Sequence, residues 1–308
     1  IAILGSHTHI APDIRDCIFV GNRAESGGGA VYLADTHLTF QSCTFQGNSA
    51  GDGGAVLVEA NTSREIWWRN CAFDANHASQ RGGAVCTGPD IATYVQNCTF
   101  TNNVAQEGGG LRILSSAGVV LTNCILWANR DAGGTGETAQ IRANQNAFVN
   151  YSHVQGWTGL MNGLFATGRD PLLLDVDGPD DDPATWQDNR LGLTRFSLCI
   201  NGADPGLSYD GQTDAAGQPR VYACQADIGA YESAFSWPPA DLDSDCHVDA
   251  SDLEIFVPCS TGAGVPVYEP ACMDADLDTD GDVDADDFAI FQRCWSGPDH
   301  FSIRTCMD

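Results

Sequence analysis

The chain has 308 residues and 41 Asp and Glu against 14 basic residues, all of them Arg, for a formal charge of −27. Nucleic acid and anionic membrane surfaces both need a basic stripe to neutralise phosphate, so this balance argues against either partner. An apolar content of 43% can fill a core, while no apolar run reaches the roughly eighteen residues that suggest a membrane span.

The chain opens at Ile1 with neither Met nor a signal peptide, so a removed leader or a fragment boundary is expected ahead of it. From there to about residue 130 the sequence repeats. Cys17, Cys43, Cys71, Cys98 and Cys124 recur at intervals of 26, 28, 27 and 26 residues. Two residues after each stands Phe19, Phe45, Phe73, Phe100 or Leu126, and three further on Asn22, Asn48, Asn76, Asn103 or Asn129. A small-residue turn follows in the first four: Gly28-Gly29-Ala30, Gly53-Gly54-Ala55, Gly82-Gly83-Ala84 and Gly108-Gly109-Gly110. Extended runs flank these landmarks, as in Val56-Leu57-Val58 and Val119-Val120-Leu121, and no stretch holds a helical period.

Short strands repeating every 26–28 residues predict an all-β, right-handed parallel β-helix with coils stacked about 4.8 Å apart. The Cys and Phe then form internal columns. The Asn column falls at a turn, where an amide can satisfy backbone groups and its own neighbours. Gly-Gly suits a corner needing positive φ or close backbone approach. The Cys column reads as buried, unpaired small hydrophobes, because alternating disulfides would leave one of five over and a linear ladder offers zinc no tetrahedral site. Ile1 falls where a Gly-Gly turn would stand, so residues 1–16 are expected to form an exposed, uncapped coil edge.

Strand alternation sends one ring of Trp67-Trp68 outward, making this pair the candidate glycan platform, with packing under a loop as the alternative. His77 and His153 are lone histidines and read as surface or structural. Glu25, Asp52 and Glu107 sit in turns before Gly-Gly, where solvated acids are common; Asp52 and Asp74 occupy non-equivalent positions.

Residues 131–232 read as irregular terminal coils. Asn150–Gly156 and Asp170–Asp175 look like strands, and the acidic run 177–183 is a loop, either a solvated turn or a cation site. Leu198-Cys199-Ile200 and Asp227–Tyr231 read as final coils covering the open end, with Cys199–Cys224 a plausible disulfide. Residues 233–240, including Trp237-Pro238-Pro239, form a linker.

Residues 241–262 and 276–297 align without a gap at an offset of 35, identical at 12 of 22 positions. Oxygen side chains fall at loop positions 1, 3, 5, 9 and 12, and position 7 offers its carbonyl, a spacing that wraps Ca²⁺. The first set is Asp241, Asp243, Asp245, His247 (carbonyl), Asp249 and Asp252; the second is Asp276, Asp278, Asp280, Asp282 (carbonyl), Asp284 and Asp287. Gly281 supplies the sharp turn at position 6 of the second loop, but Cys246 stands there in the first, so the first site is expected to be weaker. Five cysteines within residues 241–308 point to disulfides and an oxidising compartment.

The Cys-x-Phe-x-x-Asn and Gly-Gly-Ala repeat resembles those of polymorphic outer-membrane proteins and secreted right-handed β-helix proteins. Tyr151–Gly156, Asp170-Pro171-Leu172, Asn189-Arg190-Leu191, Ser197–Ile200 and Asp227–Glu232 are similar to planctomycete-type extracellular β-helix proteins. The duplicated loops resemble type I dockerin repeats. These resemblances imply a secreted or cell-surface, pectin-lyase-like β-helix over 1–232 and a small α-helical, EF-hand-like dockerin module over 241–308 with Ca²⁺ as cofactor. They also imply a polysaccharide or surface glycan as ligand and a cohesin-like or cell-envelope partner for the module. The Ser-Thr type pair through which dockerins meet cohesin is replaced by Ala250-Ser251 and Ala285-Asp286. The functional reading is a scaffold for adhesion or glycan contact; the alternative is a polysaccharide lyase or glycoside hydrolase on the same fold. No Gly-His-Gly or Arg-Ile-Lys motif of the polygalacturonase kind is present.

Overall fold

In the computed structural model, residues 1–4, 12–144, 147–180, 185–222, 224–235, 238–298 and 306 are described, Trp186 by its backbone alone. The repeat folds as a parallel β-solenoid with three six-stranded sheets. One coil gives Val31–Ala34 to the first sheet, Leu38–Gln41 to the second and Thr44–Gln46 to the third. Alternation within these strands buries Val31, Leu33, Leu38, Phe40 and Phe45 and turns the intervening residues outward. Because the pairing is parallel and in register, each landmark meets its own kind. Phe19, Phe45, Phe73 and Phe100 face one another in successive coils and stack at 4.7, 4.8 and 4.5 Å between ring centroids.

Each regular coil turns at three left-handed corners. One precedes the Cys column (Ser42, Asn70, Asn97, Asn123) and one precedes the Asn column (Gly47, Ala75, Asn102, Ala128). The third is the first Gly of the small-residue turn (Gly53, Gly82, Gly108), and all have φ between 50° and 63°. The second Gly answers a different demand. A Cβ on Gly54 or Gly83 would lie 2.0 or 2.2 Å from the carbonyl oxygen of Gly83 or Gly109 in the next coil. The first glycine thus meets positive φ together with close approach to its own coil, as at 2.2 Å between a Gly53 Cβ and the Val56 oxygen, and the second meets close approach to the next coil.

The Asn column is a buried hydrogen-bond ladder. Each Nδ2 of Asn22, Asn48, Asn76 and Asn103 donates to Oδ1 of the next, at 2.8–2.9 Å, and Asn129 Nδ2 ends the run on Gln140 Oε1 at 2.7 Å. Cys43, Cys71, Cys98 and Cys124 are buried and outside any disulfide, while Cys17 is half-buried at the first coil. Ser152 takes the Cys place in the next coil, its Oγ accepting from the Cys124 N–H at 3.0 Å. Residues 156–167 close this end: bridges join Phe148 to Asn162 and His153 to Thr167, and Trp157, Met161 and Ala166 pack on the core. At the other end Ala2–Leu4 and Asp13–Arg15 are edge strands, with Ile1 and Leu4 exposed; residues 5–11 of the expected coil edge lie outside the described residues.

Two expectations are corrected. The segments Leu198–Ile200 and Asp227–Tyr231 do not cover the open end; the described residues of 171–235 lie across the outer face of the third sheet. Asn189 Nδ2 donates to Asp74 (2.9 Å), the Ala230 N–H to Thr99 Oγ1 (2.9 Å), and Asn123 Nδ2 to the Tyr209 hydroxyl (2.8 Å). The reason is apolar surface: Ile125 points outward from that sheet and is buried in a cluster with Leu193, Cys199, Ile200 and Ile228. A buried pair, Arg220–Glu232 at 2.9 Å, ties this roof together, with Arg220 Nη2 also donating to the Gly229 carbonyl at 2.8 Å. Secondly, Cys224 is bonded to Cys246 rather than to Cys199, which is buried on the inner side of the roof.

Beyond the roof, helices Ala250–Cys259 and Ala285–Cys294 pack through Phe256 and Phe291 around Val248, Leu277 and Val283. Disulfides Cys259–Cys272 and Cys294–Cys306 brace them. Arg195 of the roof contacts this region, donating to the Met273 and Asp274 carbonyls at 3.1 and 2.8 Å.

Candidate functional site

Each C-terminal helix begins with an Asp cap. Asp249 and Asp284 accept from Ser251 and Asp286 N–H, and Asp252 and Asp287 return the bond to Asp249 and Asp284 N–H, both at 2.8 Å. The other oxygen of Asp252 accepts the Leu242 and Asp243 N–H groups at 2.6 and 3.2 Å; Asp287 accepts from Leu277 and Asp278 at 2.7 and 3.2 Å. Position 12 therefore clamps both ends of its loop. Burial raises the Asp252 carboxyl above its ordinary range.

Asp241, Asp243 and Asp252 present oxygens within 4.8 Å of one another, as do Asp276, Asp278 and Asp287. A further group joins Asp282 and Asp284 to Asp287. Asp282, read from sequence as a carbonyl donor only, thus also brings its side chain to the second loop. Its Oδ1 is buried without a hydrogen-bond partner, as is Asp276 Oδ1. Asp245, Asp249 and Asp280 stand outside these groups. Asp245 Oδ1 accepts the His247 N–H at 3.0 Å and Asp280 Oδ1 the Asp282 N–H at 3.2 Å. Cys246 adopts φ 86°, close to the 97° of Gly281, and both N–H groups donate to position 1 at 3.2 Å. An all-oxygen set with uncompensated buried oxygens fits a hard divalent cation.

On the solenoid, Trp68 points inward and stacks on Phe40 at 4.6 Å. Trp67 points outward, but one face of its ring lies on Tyr94 at 4.2 Å and the Arg69 guanidinium sits 4.6 Å from its centroid. The acids that precede the Gly-Gly turns are ion-paired: Asp52 with Arg81 at 2.7 Å, on the two-stranded sheet of Ser49–Asp52 and His77–Arg81, and Glu107 with Arg112 at 3.1 Å. Glu25 is exposed. Asp74 is roofed over and accepts from Gln46, Thr101, Asn102 and Asn189, so burial raises its carboxyl while four donors oppose the shift. His153 is buried, with Nδ1 3.0 Å from the Arg169 carbonyl.

His77 is exposed and lines a groove of about 520 Å³ beside the Asn ladder, which sequence reasoning missed. The column one residue past the ladder (Ser49, His77, Val104, Arg130) forms one wall; Val176 and Asp177 form the other. That column is legible in the repeat, but the facing wall belongs to the aperiodic roof. Of the acidic run that supplies Asp177, residues 181–184 lie outside the described residues.

In comparisons with known proteins, residues 1–170 match the family model described as a right handed beta helix region. No curated protein and no solved structure matches the chain.

Proposed function

The chain belongs to the right-handed β-helix family, and from that premise we propose that it is an extracellular or cell-surface scaffold. Its solenoid contacts glycan, and its C-terminal, dockerin-like module takes Ca²⁺ and docks or anchors it. The observation that carries this reading is the duplicated acidic loop, with three carboxylates converging within 4.8 Å in each copy. Such crowding is unfavourable until a divalent cation neutralises it, so metal binding becomes folding free energy. Asp241, Asp243, Asp245, Asp249 and Asp252 with the His247 carbonyl would hold one ion; Asp276, Asp278, Asp280, Asp284 and Asp287 with the Asp282 carbonyl would hold the other. Three disulfides support an oxidising, secreted location. A cohesin-like or cell-envelope protein is the partner class for the module. No helix among the described residues is long and apolar enough to cross a membrane.

The scaffold reading is preferred to a lyase or hydrolase because Asp52 and Glu107, in the turns before Gly-Gly, are neutralised by Arg81 and Arg112. Calorimetric titration of the whole chain with Ca²⁺, paired with hydrogen exchange of residues 238–298 in Ca²⁺ and in chelator, tests the metal reading. Two binding events with added protection are expected; no heat and no change in exchange would overturn it. Glycan-array binding without turnover of a polysaccharide panel is expected, and turnover would favour the enzyme.

A further inference from the structure

We propose that the groove beside the Asn ladder binds a linear acidic glycan, lying along the solenoid axis with an anionic group on Arg130. This rests on the reading that the solenoid contacts glycan, and it moves that contact away from Trp67. Four observations converge on it.

The first is shape. The groove measures about 520 Å³, within the range of ligand sites. Its floor is low because Gly47, Ala75 and Ala128 at this corner carry little or no side chain, while Asn102, the remaining member, is held by the Val176 carbonyl. The second is direction. Ser49, His77, Val104 and Arg130 belong to successive coils and pair in register. The wall therefore repeats every 4.8 Å or so, close to the rise per sugar of an extended polysaccharide.

The third is preorganisation. The facing wall is fixed, because Asn102 Nδ2 donates to the Val176 carbonyl at 2.5 Å. That wall lies beyond residue 170, outside the family match.

The fourth is charge. Arg130 is exposed and, among the described residues, forms no ion pair, unlike Arg81 and Arg112, which are committed to carboxylates. The strong negative charge of the whole chain does not oppose an anion here. Residues 1–170 hold nine Arg against 13 Asp and Glu, so most of the −27 lies beyond them. Asp177 on the opposite wall repels an anion and so biases it towards Arg130 and His77.

The test uses the full chain in Ca²⁺, with polygalacturonate, dextran sulfate and a neutral β-glucan as probes in calorimetry at low and high salt. Arg130→Gln should weaken binding of the acidic probes about tenfold, the loss of one charge-assisted contact, and binding should fall with salt. Ala75→Asn, which suits the left-handed corner as Asn102 already does, should weaken it by partly filling the floor. Arg69→Gln, beside Trp67, should leave it unchanged. Binding to polygalacturonate alone identifies a carboxylate, and to dextran sulfate alone a sulfate; either supports the groove if Arg130→Gln weakens it. Unaltered binding by Arg130→Gln, or binding of the neutral glucan only, overturns the groove assignment while the glycan reading survives. Binding of no probe in the panel overturns both.

Discussion

Replacing Asn76 by Ala should show how much of the solenoid's stability resides in its amide ladder. Asn76 makes four side-chain hydrogen bonds. Nδ2 donates to the Phe45 carbonyl and to Asn103 Oδ1, both at 2.9 Å. Oδ1 accepts the Asn48 backbone N–H at 3.0 Å and Asn48 Nδ2 at 2.9 Å. Alanine removes all four and leaves the Asn48 N–H and the Phe45 carbonyl without those partners in a region where Asn48, Asn76 and Phe45 are 0% exposed. At roughly 1–3 kcal/mol per buried orphan, the two backbone groups bring the expected cost to about 3–5 kcal/mol. Asn22 is the control. Its side chain donates to Asn48 at 2.9 Å and to the Val20 carbonyl at 3.3 Å from an exposed position, where water replaces lost partners, so Asn22→Ala should cost less than about 1 kcal/mol. Urea denaturation followed by circular dichroism measures both, with slopes compared so that partial unfolding of single coils is detected. A cost for Asn76→Ala within about 1 kcal/mol of the Asn22→Ala cost would refute the ladder as a stabilising element.

Gly83→Ala should abolish soluble, folded protein, since its Cβ would lie 2.2 Å from the Gly109 oxygen, whereas Gly136→Ala, with nothing within 4 Å, should melt like the parent. Arg220→Met strands the buried Glu232 carboxylate and should cost about 3–5 kcal/mol, much of it regained in Arg220→Met/Glu232→Leu; a double-mutant cycle reads the difference. Burial pushes the Cys124 thiol up to about 12, so thiolate is scarce at neutral pH. Cys43, Cys71, Cys98 and Cys124 should ignore a thiol reagent until denaturant is added, and rapid native labelling would contradict the buried column. Cys224→Ser releases Cys246 from the disulfide that helps hold its positive φ, a conformation costing a non-glycine residue about 1–2 kcal/mol. Ca²⁺ titration should show weaker binding at the first loop with the second unchanged, and equal affinities would contradict the clamp.

The periodic part of this protein was legible because a parallel, in-register solenoid places the same residue at the same corner in every coil. Cys, Phe and Asn recur in the chain as they recur in space. The residue before each Cys carried a signal that went unread: Asn70, Asn97 and Asn123 stand where φ is positive, and Asn is among the few residues that tolerate it. The acidic loops were legible for the same reason, since a gapless duplication exposes position by position what each copy repeats. Parity could have flagged one more fact, because five cysteines in the C-terminal region leave one without a partner inside it.

Tertiary structure alone decided which partner that is, and where the aperiodic residues 171–235 lie. Nothing in their sequence specifies a register, so their place follows from long-range burial. Ile125 and Thr99 face outward from the third sheet, and the roof that covers them buries Cys199 while leaving Cys224 to reach Cys246. The same roof sets Asp177 opposite Arg130 and so makes the groove. Local pattern determines which backbone each coil adopts, because that is settled within a few residues. Where two distant segments meet depends on apolar area and hydrogen-bond partners contributed by both, and neither segment states that alone.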